Sequence, residues 1–100
     1  MGLYRSTGSR ESPQLTLAAV ARRLPERAAF SGRTAAWLHG LDMEPCDPIE
    51  VTIPKPFGSN RAAGASVRRA VLAQEEIVMR SGLSTTSPFR TVVDLAEEIH

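Results

Sequence analysis

The hydrophobic period of this chain changes twice, and that constrains its fold more than any single motif. From Gln14 to Leu24 the apolar positions recur at helical spacing, as at Leu17, Val20, Ala21 and Leu24. From Ile49 they alternate, with Ile49, Val51 and Ile53 separated by Glu50 and Thr52. From Ser87 onward the spacing returns to three and four, at Phe89, Val92, Val93, Ala96 and Ile99. A two-residue period reads as a strand with one buried face, and a period near 3.6 as an amphipathic helix. One hundred residues hold one domain at most, so helices and strands share one core. The expectation is an α+β fold with an N-terminal helix pair, a small antiparallel sheet of about three to four strands, and a C-terminal helix.

Punctuation residues set the expected boundaries. The first dozen residues are polar and Gly/Ser-rich without a hydrophobic period, so residues 1–12 read as a flexible tail and residues 13–100 as a single small module. Ser12–Pro13 is a helix start, with Ser as cap and Pro at a position that needs no amide, and Pro25 is the stop. Arg22 and Arg23 fall in the expected last turn, where cations complement the helix dipole. Glu26 to Phe30 reads as a connector. Ser31 is a second cap, Gly40 a left-handed stop, and Leu41 the residue that folds back over the preceding turn. Residues 54–65 read as a loop from their Pro, Gly and Asn content. Val67–Leu72 and Ile77–Met79 read as further strands, and the turn around Leu83 leads to a fourth. Ser87–Pro88 repeats the helix start. Glu97, Glu98 and His100 follow with no glycine stop, which reads as a module cut within its C-terminal helix.

Several chemistries find no support in the residue pattern. The single cysteine, Cys46, cannot form an internal disulfide, and it sits in an acidic loop with nothing to favour its thiolate. His39 with Asp42 is too little for a metal site. No motif brings a nucleophile, base and orienting acid together, and no Gly-rich phosphate loop is present. The chain is therefore expected to be non-enzymatic, with no catalytic residues, no metal and no cofactor. No apolar run approaches the roughly 18 residues that span a bilayer, and no signal-peptide core is present. A cytoplasmic protein without membrane contact is expected.

The segment Ser31 to Leu41, SGRTAAWLHGL, holds the only tryptophan. Trp37 and Leu38 read as packing residues, and His39 as a residue at a helix end where positive charge is welcome. Arg90 and Asp94, four apart, read as a surface ion pair.

Charge is unevenly spread. The formal net charge is +1, yet residues 1–33 carry six arginines against two glutamates, and residues 55–69 carry Lys55, Arg61, Arg68 and Arg69 with no acid. Eleven of the twelve basic residues are arginine, which suits bidentate contacts to phosphate, although an arginine excess also follows from a GC-rich genome. Two helices joined by a turn, with Arg33 at the start of the second, have the outline of a helix-turn-helix, but the second helix is short and mostly Ala, Trp and Leu, a poor surface for reading bases. Nucleic-acid contact, if made, is expected at phosphates through Arg33, Lys55, Arg61, Arg68 and Arg69.

Three segments in this order, SGRTAAWLHGL (31–41), IEVTIP (49–54) and GLSTTSPFRTVVDLA (82–96), resemble the AbiEi-type antitoxin family of type IV toxin–antitoxin systems. Related actinobacterial proteins often place such a module before a domain similar to very-short-patch-repair endonucleases. The resemblance implies a non-enzymatic antitoxin-like or transcriptional-regulator module. Its partners would be a toxin protein and DNA held through phosphates. The winged helix that precedes this region in family members, and the nuclease-like domain that follows it, have no counterpart in these residues. An alternative reading is therefore the N-terminal auxiliary module of a split or degraded endonuclease of that kind. The joint at Thr86, Ser87, Pro88, Arg90, Thr91 and Asp94 follows the family pattern and reads as a cap plus an Arg–Asp brace.

Overall fold

The computed structural model describes residues 11–55 and 65–98. Helix α1 covers Glu11–Ala21, strand β1 Ala29–Phe30, helix α2 Gly32–Leu38, and strands β2 and β3 Ile49–Pro54 and Ala65–Ala70. A 3₁₀ turn at Gln74–Glu76 leads into strands β4 (Ile77–Arg80) and β5 (Leu83–Thr86), and helix α3 covers Pro88–Glu98. The α+β expectation holds. Helix α1 begins at Glu11, inside the segment read as a tail, and the rest of that segment lies outside the described residues. It ends at Ala21, so Arg22 and Arg23 follow the helix and do not lie in its last turn.

The sheet departs from expectation in size and sense. Among the described residues it has five strands, in the order β3-β2-β1-β5-β4. Pairs β1–β2 and β4–β5 are antiparallel, but β1–β5 and β2–β3 are parallel. The missed strand, β1, lies in the segment read as a connector. Two residues are too few to show a period, yet they occupy the centre of the sheet because β2 and β5 both pair with them.

Register separates the two sides of the sheet. Phe30 lies opposite Val51 and Thr85, and Val51 opposite Val67. Since side chains alternate along a strand, Phe30, Ile49, Val51, Ala65, Val67 and Leu83 share one side. All of them belong to the hydrophobic core or pack against it, together with Leu17, Val20, Ala21 and Leu24 from the N-terminal segment and Trp37 and Leu38 from α2. The opposite side carries Glu50, Thr52, Ser66, Arg68 and Thr86. Thr52 and Thr86 there are as fully buried as the core itself.

Helix α2 is ended as its sequence foretells. Gly40 adopts a φ of 101°, its N–H donates to Trp37 O, and that of Leu41 donates to Ala36 O, both at 2.9 Å. This is the double bond of a Schellman stop. Trp37 and Leu38 are buried. His39 donates from Nε2 to the Thr86 carbonyl at 2.7 Å, tying the end of α2 to the end of β5. The segment SGRTAAWLHGL is thus a packed and capped helix.

Helix α3 is amphipathic, but its orientation reverses the usual one. Its buried residues are Thr91 and Asp94, whereas Phe89 and Val92 are 77% and 59% exposed and Ala96 is exposed as well. The helix thus lays a polar stripe on a polar side of the sheet and turns its apolar stripe outward.

Candidate functional site

The polar layer between the sheet and α3 is the most organised chemical feature of the molecule. It begins at the cap of α3. Ser87 Oγ accepts from the Arg90 amide at 3.2 Å, and Ser87 O from the Thr91 amide at 2.8 Å. Thr86 and Thr91 join their hydroxyls at 2.7 Å, and Thr91 Oγ1 also reaches Thr86 O at 3.2 Å. Both residues are buried, and paired hydroxyls let a β-strand end and a helix start pack without an orphaned polar group.

One turn on, Asp94 is 2% exposed. Its Oδ1 sits 3.1 Å from Arg68 Nη1 on β3 and 3.0 Å from Arg90 Nε on its own helix. The i,i+4 pair read as a surface brace is therefore present but buried at its acidic end, with a second arginine supplied from the sheet. Arg90 also approaches Glu76 at 3.6 Å, and Arg68 approaches Glu97 at 3.4 Å. Asp94 Oδ2 has no hydrogen-bond partner among the described residues. Burial pushes the Asp94 carboxyl above the ordinary aspartate range, against the pull of Arg90 and Arg68 and with a smaller push from Glu97.

The start of α2 closes the other end of this layer. Ser31 occupies the cap position but makes no side-chain cap, because its Oγ accepts from Thr52 Oγ1 at 2.9 Å. Glu50 takes over the capping role: its carboxylate accepts the Arg33 amide at 2.6 Å. It lies so close that a Cβ on Gly32 would collide with Glu50 Oε1. Gly32 also adopts a φ of 58°, so glycine is required there for conformation and for space. Thr34 Oγ1 donates to Pro45 O at 2.6 Å and accepts the Glu50 amide at 2.9 Å. A cleft of about 220 Å³ lies among Ser31, Glu50, Ser66, Arg68, Asp94 and Glu98.

The residues expected at phosphates fall in different places. Arg33, half exposed, pairs with Glu98 at 3.7 Å. Arg68 is committed to Asp94 and Glu97. Arg69 follows it on β3 and, by strand alternation, points to the other side of the sheet. Lys55 is exposed just after β2 and donates its amide to Ala70 O at 3.0 Å. Arg61 lies outside the described residues. Among the described residues the structure thus brings Arg33 and Arg68 toward α3 and turns Arg69 to the other side of the sheet. Among the described residues no group of three His, Cys, Asp or Glu side chains is placed to hold a metal ion, and no helix is long and apolar enough to cross a membrane. Burial, with a smaller contribution from Glu44, pushes the Cys46 thiol up, away from the reactive thiolate.

Sequence reasoning missed the burial of Asp94 and the part played by Glu50. A signal was available for the first, since Thr91, Asp94 and Glu98 recur at the same helical spacing as the apolar residues. Nothing local marked Glu50, whose partner lies seventeen positions earlier in the chain.

Residues 27–100, from just before β1 through α3, match the profile of the AbiEi antitoxin C-terminal domain. The chain belongs to that family. No curated protein and no solved structure matches it at a significant level.

Proposed function

We propose that this chain works as a non-enzymatic antitoxin module that acts through contact with protein, its partner being a toxin protein. Family membership supports the antitoxin role. The observation that favours protein over nucleic acid is the commitment of Arg68 to Asp94, a buried carboxylate that a phosphate would have to displace, with the exposed Arg33–Glu98 pair a lesser obstacle. Counterion release favours phosphate binding most where cations stand unopposed, and these two do not. Any DNA contact is a weak, sequence-independent grip on the backbone, in which the exposed Lys55 takes part.

The test is co-expression of the chain with a candidate toxin from the same genome in a heterologous host, with growth as the readout. The purified chain is titrated in parallel against its own upstream duplex and an unrelated one, at about 50 and 200 mM salt. Growth is expected to recover, and the two duplexes to bind equally weakly, with affinity falling steeply as salt rises. Failure of the folded chain to restore growth would overturn the antitoxin reading. Tight preference for the upstream duplex would move the function to promoter recognition.

A further inference from the structure

The apolar stripe of α3 has no partner among the described residues. Phe89, Val92 and Ala96 follow at intervals of three and four on the outward side of the helix, with half-buried Val93 beside them. The other large exposed apolar residues, Leu15, Leu41, Val71 and Met79, come from different elements. Scattered single residues of that kind are normal on a surface, but a continuous helical stripe marks an interaction site. The stripe faces out because the opposite side of the helix is fixed inward by Thr91 and Asp94. Rotating α3 to bury Phe89 would break the Thr86–Thr91 and Arg68–Asp94 contacts.

We infer that this stripe is the contact surface for α3 of a second copy of the same chain, packed antiparallel about a two-fold axis near Val93. Two features set the occupant and the direction. The largest stripe residue, Phe89, and the smallest, Ala96, are seven positions apart, so a two-fold axis midway sets each phenyl ring over the partner's alanine. Arg90 and Glu97, also seven apart, lie on one border of the stripe. In an antiparallel pair the same border of each helix meets, so Arg90 faces the Glu97 carboxylate of the other copy, twice over. Both pairs share one axis within a residue of Val93. A parallel pair would instead set Phe89 against Phe89 and leave Arg90 and Glu97 of the two copies on opposite borders of the interface, out of each other's reach. The Glu97 side chain, 62% exposed, is free to turn between Arg68 and a partner. Arg90, its side chain 19% exposed, keeps Glu76 and Asp94 as partners, so its pairing with the other copy's Glu97 supplements those contacts and sets the direction of packing more than its strength. An interface centred on one helix face is smaller than the roughly 800 Å² per partner of stable complexes, so a weak, concentration-dependent dimer follows.

Sedimentation equilibrium of the whole chain from about 10 μM to 1 mM should show the mean mass climbing toward that of two copies. Val92→Glu places a charge at the axis and should weaken association about tenfold or more while leaving the far-ultraviolet circular dichroism unchanged, because Val92 touches little of its own domain. Glu97→Arg should weaken it too, by removing both reciprocal pairs. Direction is read by oxidation in a Cys46→Ser background. Val92→Cys, next to the axis, should cross-link to its own counterpart, and Phe89→Cys, about two helical turns away from its counterpart, should cross-link far less. A chain that stays monomeric over the whole range would overturn the proposal and leave the stripe to a different protein. A dimer indifferent to Val92→Glu would place the interface elsewhere. Equal cross-linking at both positions would refute the antiparallel arrangement.

Discussion

Each side of the sheet buries side chains fully, but the two are held by different forces. On one side Phe30, Val51, Leu83 and Leu17 exclude water through shape and apolar area alone. On the other Thr52, Thr86, Thr91 and Asp94 are just as buried, and each polar group needs a partner at a set distance. Apolar burial is non-directional and tolerates small shifts. A buried polar layer does not, since every broken contact leaves a desolvated donor or acceptor. The apolar side therefore accounts for most of the stability, and the polar side fixes how α3 is seated, including which of its faces is left outside.

The comparison is tested most severely at its two centres. Phe30→Ala should have the largest effect of any single change, about 4 kcal/mol by urea denaturation, because the ring sits on the central strand in contact with both neighbouring strands' core residues. Asp94→Ala comes next, at about 3 kcal/mol, since Arg68 and Arg90 lose their common anion. Asp94→Asn should cost less than Asp94→Ala. The raised pKa of the carboxyl means that folding favours its neutral form, and the amide resembles that form in shape and charge. A ranking with Asp94→Asn the more damaging would show that the arginines matter more than the burial.

This contrast also explains what the sequence made legible. The strands at Ile49, Val67, Ile77 and Leu83 and helices α1, α2 and α3 could be read, because apolar periodicity and capping residues are local signals. The stop at Gly40 and the packing of Trp37 were visible for the same reason. The parallel pairings were not, since they join segments distant in sequence and leave no local trace, and β1 was too short to show a period. The facing of α3 was misleading for a physical reason: the stripe with the strongest hydrophobic pattern looked outward, and the residues that seat the helix are a threonine and an aspartate. Of the candidate site, the Arg90–Asp94 pair was legible from its spacing. The third member, Arg68, was read as a phosphate ligand because its acceptor lies twenty-six residues away.

A sharper test of the polar side sits at its edge. Gly32→Ala should cost about 2 kcal/mol, from the left-handed φ and from the collision of the new methyl with Glu50 Oε1. Glu50→Ala alone removes the acceptor of the Arg33 amide and should cost about 1 kcal/mol, as the loss of a helix cap does. In the double variant the methyl meets no carboxylate, so the combined loss should fall short of the sum. Strict additivity would mean that the backbone conformation alone requires the glycine.

The pH dependence separates the two sides without changing a core residue. The folded pKa of Asp94 is raised, so between the ordinary aspartate value of about 3.9 and that higher value the folded chain holds a proton that the unfolded chain has released. Stability relative to Asp94→Asn should therefore rise as pH falls through this window, by at most about 1.4 kcal/mol per unit, and level off below it. Thermal unfolding of the two proteins side by side from neutral pH downward would show it. Phe30→Leu, compared with the parent chain in the same way, should give a difference that does not move with pH.

The smallest effect is expected from the ion pair that most resembles the buried one on paper. Arg33 and Glu98 join the same helix to the same domain as Arg68 and Asp94 do, but at 3.7 Å and with side chains 52% and 30% exposed. Water and salt screen such a pair, and holding two long side chains in one geometry offsets most of the attraction. Arg33→Ala should change stability by no more than about 0.5 kcal/mol, and raising the salt should abolish what difference there is. Arg68→Ala should cost several times more, because it strips an arginine from a carboxylate that water cannot reach. If the two substitutions cost the same, burial of Asp94 would not be what distinguishes the polar layer from an ordinary charged surface.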